Sequence, residues 1–136
     1  MTEDDALRAW HFKQLRWSLQ ALAAAGSTQR ALFPEHAHRP DELAFDFDHW
    51  LSLIRGLYAD DLSDGQRDAL SAIERKLSTM SRDGSEFDLE LWTDVAVVAS
   101  DQWADVRRLA AAALGAFEWP FEGTRALGEP GTPAVS

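Results

Sequence analysis

The chain has 136 residues, with 13 Lys and Arg against 23 Asp and Glu, and a formal net charge of -10. A chain of this length suits one domain that buries a core without support from metals or disulfides. The absence of cysteine excludes disulfides, thiolate zinc sites and thiol catalysis. The negative charge argues against binding nucleic acid or an anionic membrane through phosphate contacts.

The start of the chain and its hydropathy predict a cytoplasmic protein. The stretch from Met1 to Asp5 is acidic, whereas a signal peptide begins with basic residues. No apolar run approaches the roughly 18 residues that a transmembrane helix needs. We therefore expect neither a signal peptide nor a membrane-spanning segment.

The first predicted helix runs from Asp5 to Ala25 and is closed by Gly26. Two apolar stripes follow this helix, and a polar line of His11, Gln14 and Ser18 separates them. A helix that is apolar over so much of its circumference is either central in a bundle or covered by a second chain, so a monomer and a homodimer both remain open. We interpret His11 as a hydrogen-bonded core residue rather than a ligand. The stripes are Phe12, Leu15, Leu19 and Leu22, and Trp10, Trp17, Ala21 and Ala24.

A second helix is predicted from Asp41 to Tyr58, with Pro40 at its start. Its apolar residues recur at helical spacing and predict one buried face, from which Phe45 deviates. The buried face consists of Leu43, Phe47, Trp50, Ile54 and Leu57.

The flank of this helix carries the best candidate for metal chemistry in the sequence. Glu42, Asp46 and His49 follow one another at four- and three-residue spacing, and His36 and His38 precede them. Carboxylates and imidazoles at helical spacing are ligands for zinc or iron. A di-iron bundle, however, needs Glu-x-x-His pairs on two separate helices, whereas all four histidines lie before Trp50. A solvated polar flank is the favoured interpretation, and a metal or small-ligand site is the alternative.

A third helix is predicted after a capping box at Ser63-Asp64-Gly65-Gln66, in which the Ser63 hydroxyl and the Gln66 amide satisfy each other's backbone N–H groups. Four apolar residues then make one narrow stripe, typical of a helix with a single buried face. They are Leu70, Ile73, Leu77 and Met80.

The last structured region carries the longest apolar stripe, from Leu89 to Phe117. A single straight helix over some 30 residues would span about 45 Å, more than the width of a small globule. Ser100-Asp101 resembles a helix start, so we expect two helices, Glu86 to Ala99 and Asp101 to Glu118, with one kinked helix as the alternative. The stripe comprises Leu89, Trp92, Val95, Ala96, Ala99, Trp103, Val106, Ala110, Ala113 and Phe117.

These elements predict an all-α fold, a compact bundle of four to five helices. Residues 1–120 should form a single helical domain. The tail at 121–136 repeats Gly and Pro and offers little to pack, so we expect most of it to be disordered.

The negative charge is concentrated, because the stretch from Asp83 to Val106 holds seven acids and no base. Five of these acids fall on the side of the predicted helices opposite the apolar stripe. Like charges at four-residue spacing destabilise a helix, so their retention favours a surface that binds a basic protein, with a merely solvated surface as the alternative. The candidate partner-binding residues are Glu86, Glu90, Asp94, Asp101 and Asp105.

No catalytic signature is present: the sequence lacks a nucleophile elbow, a phosphate-binding glycine loop, a His-Glu-x-x-His motif and a Ser-x-x-Lys motif. We therefore predict that the protein is not an enzyme and has no cofactor. Three segments, Gln29 to Pro34, Asp41 to Phe47, and Trp103 to Ala110 closing on Trp119-Pro120, resemble those of small, acidic, all-helical bacterial proteins of uncharacterised function. That resemblance implies a helical fold and no particular activity.

By size, acidity and helical content the chain is also similar to immunity proteins that neutralise a cognate basic nuclease toxin. This similarity implies a basic protein partner and an inhibitory role. The sequence thus leaves two functions open: a non-enzymatic acidic protein-binding module, or a helical bundle that binds a small ligand or metal.

Overall fold

The computed structural model describes residues 3–24 and 40–120. Within these ranges the protein is all-helical, with five α-helices, two short 3-10 helices and no strand, which confirms the predicted fold class. The proposed tail at 121–136, and His36 and His38, lie outside the described residues. The α-helices are α1 Glu3–Ala23, α2 Pro40–Tyr58, α3 Asp64–Met80, α4 Asp94–Ala99 and α5 Asp101–Ala116, and the 3-10 helices are Ala59–Asp61 and Leu89–Trp92.

Helix α1 is central, because it packs against α2 on one side and α5 on another, and α5 packs in turn against α3. Leu15 and Leu19 on its first stripe are fully buried. On the second stripe Ala21 and Ala24 are buried within the chain, and Trp17 is partly buried. These apolar residues of α1 are thus buried or partly buried by other parts of the same chain. None of the described helices has the length and apolarity that crossing a membrane requires.

The expected features of α3 are confirmed. The Ser63 hydroxyl accepts from the Gln66 backbone N–H at 3.1 Å, and the Ser63 N–H donates to the Gln66 side chain at 2.9 Å. All four residues of the predicted α3 stripe are buried. Arg55 of α2 donates to Glu74 at 2.8 Å and to Ser71 at 3.0 Å, which joins the last turn of α2 to the middle of α3.

The prediction for the end of α2 is wrong at one position. Leu57 was expected in the core, yet 61% of its surface is exposed. The inward position in the last turn belongs instead to Tyr58, whose ring packs against Phe12 with a centroid separation of 5.6 Å. Phe45 is exposed, as expected.

The predicted helix from Glu86 to Ala99 is wrong over its first half. After α3 the chain turns at Asp83, which has a φ of 74°, and Gly84, and α4 begins only at Asp94. Two local caps explain this change of path, since the Asp88 side chain accepts from the Glu90 N–H at 3.0 Å and the Thr93 side chain accepts from the Ala96 N–H at 3.2 Å. Such side-chain contacts compete with a continuous helix.

The change of path turns part of the predicted apolar stripe outward. Leu89 is 71% exposed and Val95 is 70% exposed, so neither belongs to the core. The stripe is correct further along, because Trp103 and Val106 are buried. The predicted break between the last two helices is confirmed by Ser100, whose side chain accepts from the Trp103 N–H at 3.1 Å.

Candidate partner-binding surface

Lys76 of α3 is the centre of a charged network that includes two acids of the predicted partner-binding surface. Its Nζ atom lies 3.1 Å from Glu86 Oε1, 2.6 Å from Gln102 Oε1 and 3.5 Å from Asp105 Oδ2. Only 14% of the Lys76 side chain is exposed. A largely buried ammonium with three oxygen partners is well compensated, so Lys76 joins the segment after α3 to helix α5.

The pKa values of the two carboxyl groups at this network are lowered. The Thr79 hydroxyl donates to Glu86 at 2.8 Å, and this hydrogen bond, followed by that from Lys76, lowers the pKa of Glu86. The hydrogen bond from Arg108 and then the charge of Lys76 lower the pKa of Asp105. Both carboxylates are therefore ionised at neutral pH and already neutralised by bases of the same chain.

The network divides the five predicted partner-binding residues into groups. Glu86 and Asp105 serve the fold through Lys76. Glu90 and Asp101 are exposed and form no ion pair among the described residues. Asp94 opens α4, but its side chain is outside the described part of the structure. The acids available to a partner are thus Glu90 and Asp101, together with the exposed Asp88 that the sequence analysis did not select.

Two tryptophans hold the segment that presents these acids. The Trp92 indole N–H donates to the Met80 carbonyl at 2.9 Å, and the Trp103 indole N–H donates to the Leu91 carbonyl at 2.6 Å. Their rings meet edge to face with centroids 5.6 Å apart. Closer to α3, the Glu86 N–H donates to the Thr79 carbonyl at 2.8 Å. The segment from Glu86 to Trp92 is therefore anchored at both ends, although none of it is α-helical.

The proposed metal ligands do not converge. Glu42 and His49 are exposed, and Asp46 is partly exposed. The His49 ring instead packs against Trp50, with centroids 4.7 Å apart, and stacks on Phe45. In the ranges that the structure describes, no group of three or more His, Asp or Glu side chains is placed to hold a metal ion.

An open groove between α2 and α3 is the other candidate for ligand binding. Phe47 and Leu77 form its apolar part, while Glu74 on its wall is already paired with Arg55. The groove is open to solvent and does not enclose a small molecule. Its other lining residues are Ala44, Asp48, Arg75, Ser78 and Ser81.

His11 forms the only buried imidazole of the described helices, and it joins α1 to α2 as expected for a hydrogen-bonded core histidine. Its Nδ1 atom lies 2.8 Å from the Tyr58 hydroxyl, and Trp10 and Trp50 pack around the ring. Burial lowers the pKa of His11 below its ordinary value, because the charged form loses its hydration. On the same side of α1, Arg8 lies over the Tyr58 ring and pairs with Asp61 at 3.0 Å.

The lowered pKa of His11 predicts a pH dependence of stability. A group whose folded pKa is below its unfolded value of about 6.5 contributes stability that is present above that pH and is lost as the pH falls through the folded pKa. His11→Asn keeps a polar atom near Tyr58 but does not titrate. We expect the parent protein to lose more melting temperature than His11→Asn between neutral and mildly acidic pH. Equal losses in both proteins would contradict the assignment.

Comparison with protein-family models, curated proteins and solved structures finds no match to this chain.

Proposed function

We propose that the chain is a non-enzymatic acidic module that binds a basic partner protein and, by covering it, inhibits or escorts it in the manner of an immunity protein. The supporting observation is the set of exposed acids on the anchored segment after α3 and at the start of α5. Asp88, Glu90 and Asp101 lie exposed there, and no base occurs between Asp83 and Val106 in the sequence.

The physical basis of the proposed interaction is charge complementarity. Unpaired carboxylates create a negative potential that attracts a positive protein and raises the association rate at low salt. Because Lys76 and Arg108 already pair with Glu86 and Asp105, the attraction is concentrated on the remaining acids rather than spread over all five predicted positions. Because the Trp92 and Trp103 hydrogen bonds hold the segment, binding does not require the chain to become ordered first.

A paired charge reversal tests this function. Glu90→Lys with Asp101→Lys should weaken capture of a basic partner from a lysate of the native cell at low salt by about tenfold or more, a loss of about 1.4 kcal/mol or more. The measurement is a pull-down with identification of the captured protein, followed by a titration with that protein at two salt concentrations.

The matched control places the same charge change elsewhere. Asp60→Lys with Asp68→Lys alters two exposed acids that form no ion pair in the described ranges, and it gives the same net charge as the test variant. We expect this control to capture the partner as the parent does. If both variants lose capture equally, only net charge matters, and if neither loses it, the acidic surface is a solvated face without a binding role.

A further inference from the structure

The acidic segment also carries an unusual concentration of exposed apolar side chains. Six large hydrophobic residues are exposed in the described ranges, and three of them, Phe87, Leu89 and Val95, fall within nine consecutive residues. Single exposed apolar residues are normal on a protein surface, whereas a local concentration of them is typical of an interaction site.

These side chains are held outward by the contacts of their neighbours. Trp92 is fixed to the Met80 carbonyl, and the Leu91 carbonyl is fixed by Trp103. On α4 the inward position belongs to Val97, which is buried. Leu89 and Val95 therefore cannot turn into the core without breaking these contacts, and their exposure is a property of the anchored fold.

The two charged residues next to Leu89 in the sequence are both acidic. Asp88 and Glu90 directly flank Leu89, and all three are exposed. A polycation without apolar groups would pair with the acids but leave Leu89 and Val95 in water. A neutral apolar segment would cover the aliphatic side chains but leave the nearby carboxylates facing an apolar surface, which is unfavourable.

We propose that Phe87, Leu89 and Val95 form the apolar centre of a docking surface, and that its occupant is a cationic amphipathic helix of the partner protein. This inference rests on the proposed function and specifies the partner's contact element. Apolar side chains of the helix cover the aliphatic centre, while its flanking Lys and Arg residues pair with Asp88 and Glu90. In protein complexes a few residues near the centre of the interface, surrounded by a polar rim, account for most of the affinity.

Two model peptides distinguish this surface from a purely electrostatic one. The first is a Leu/Lys peptide of about 18 residues with leucines at three- and four-residue spacing, and the second has the same composition in an order without an apolar face. We expect the parent to bind the amphipathic peptide at least about tenfold more tightly than its isomer. Part of that preference should persist at moderate salt, since apolar contact is not screened.

The test variant is Leu89→Ser with Val95→Ser, and it should bind the two peptides with equal, salt-sensitive affinity. The control is Leu7→Ser with Leu57→Ser, which removes two comparably exposed apolar residues elsewhere and should keep the preference of the parent. Circular dichroism should show that both variants remain as helical as the parent, because the changed side chains are exposed.

Each outcome decides the inference separately from the proposed function. If the parent binds both peptides equally, or binds neither, an amphipathic helix is not the occupant of this surface. The same conclusion follows if the variant Leu89→Ser with Val95→Ser keeps the preference for the amphipathic peptide. The proposed function is tested by the charge-reversal pull-down, in which the apolar residues are unchanged. Loss of capture there without any peptide preference would retain an acidic binding module and reject its apolar centre.

Discussion

Trp103→Ala should lower the free energy of unfolding by about 3–5 kcal/mol, within the range for truncation of a buried aromatic residue. The side chain is only 2% exposed, and its indole N–H donates to the Leu91 carbonyl at 2.6 Å. The substitution removes the packed ring and also leaves that carbonyl without its donor. Because small domains are stable by about 5–15 kcal/mol, the loss should be evident in urea denaturation followed by circular dichroism.

One further substitution separates the packing of Trp103 from its hydrogen bond, and a second removes the aromatic partner of Trp103. Trp103→Phe keeps an aromatic ring but cannot donate to Leu91, so it should cost less than the alanine variant, about 1–3 kcal/mol. Trp92→Ala should also destabilise the protein, since it removes the edge-to-face partner of Trp103 and the donor to Met80. A Trp103→Ala protein with the denaturation midpoint of the parent would show that the core is wrongly described.

Two features of the fold that the sequence predicts correctly, the α3 stripe and the break at Ser100, are decided by local chemistry. The α3 stripe from Leu70 to Met80 has one period and one capping box, so its buried face and its start follow from spacing alone. The Ser100 cap likewise ends α4 and starts α5 in spite of an apolar period that continues across it. A side-chain cap here outweighs the continuity of the pattern.

The prediction is wrong from Glu86 to Thr93 because the apolar spacing of this segment also fits a helix. The Asp88 and Thr93 side chains bond to nearby backbone N–H groups and favour a 3-10 turn followed by a new helix start. Periodicity does not register such local competition. Leu89 and Val95, which the apolar spacing places in the core, are therefore exposed and form the apolar part of the candidate surface.

The division among the predicted partner-binding acids was not accessible from the sequence. Lys76 lies in α3, outside the acidic stretch, and its approach to Glu86 and Asp105 depends on how α3 packs against α5. A sequence pattern places charges on a face of their own helix but not on the face of a neighbouring one. The acidic character of the stretch was predictable, whereas the acids left for a partner became identifiable only from the tertiary contacts.

Gly84→Ala should destabilise the protein by about 1–3 kcal/mol or more, because a methyl group has no room at this turn. A Cβ atom built on Gly84 would overlap the backbone carbonyl oxygens of Ser78 and Thr79, which belong to the end of α3 and cannot rotate aside as a side chain would. Relief of the overlap requires the turn to move away from α3. That movement would strain the hydrogen bonds that Glu86 makes to Thr79 through its backbone and its side chain.

Gly84→Ala therefore tests two properties at once, the stability of the turn and the position of the candidate surface that follows it. Gly56→Ala is the matched control, since it makes the same substitution in α2, where a Cβ atom meets nothing within 4 Å. Alanine at a helical site with room for it stabilises a protein by about 0.4–1 kcal/mol, so the two variants should shift the denaturation midpoint in opposite directions. If the turn positions Leu89 and Glu90 for a partner, Gly84→Ala should also lose the preference for the amphipathic peptide at temperatures where the protein is still folded. An unchanged midpoint would show that the turn yields to the methyl group without cost, and an unchanged preference in a destabilised protein would show that docking does not depend on this anchor.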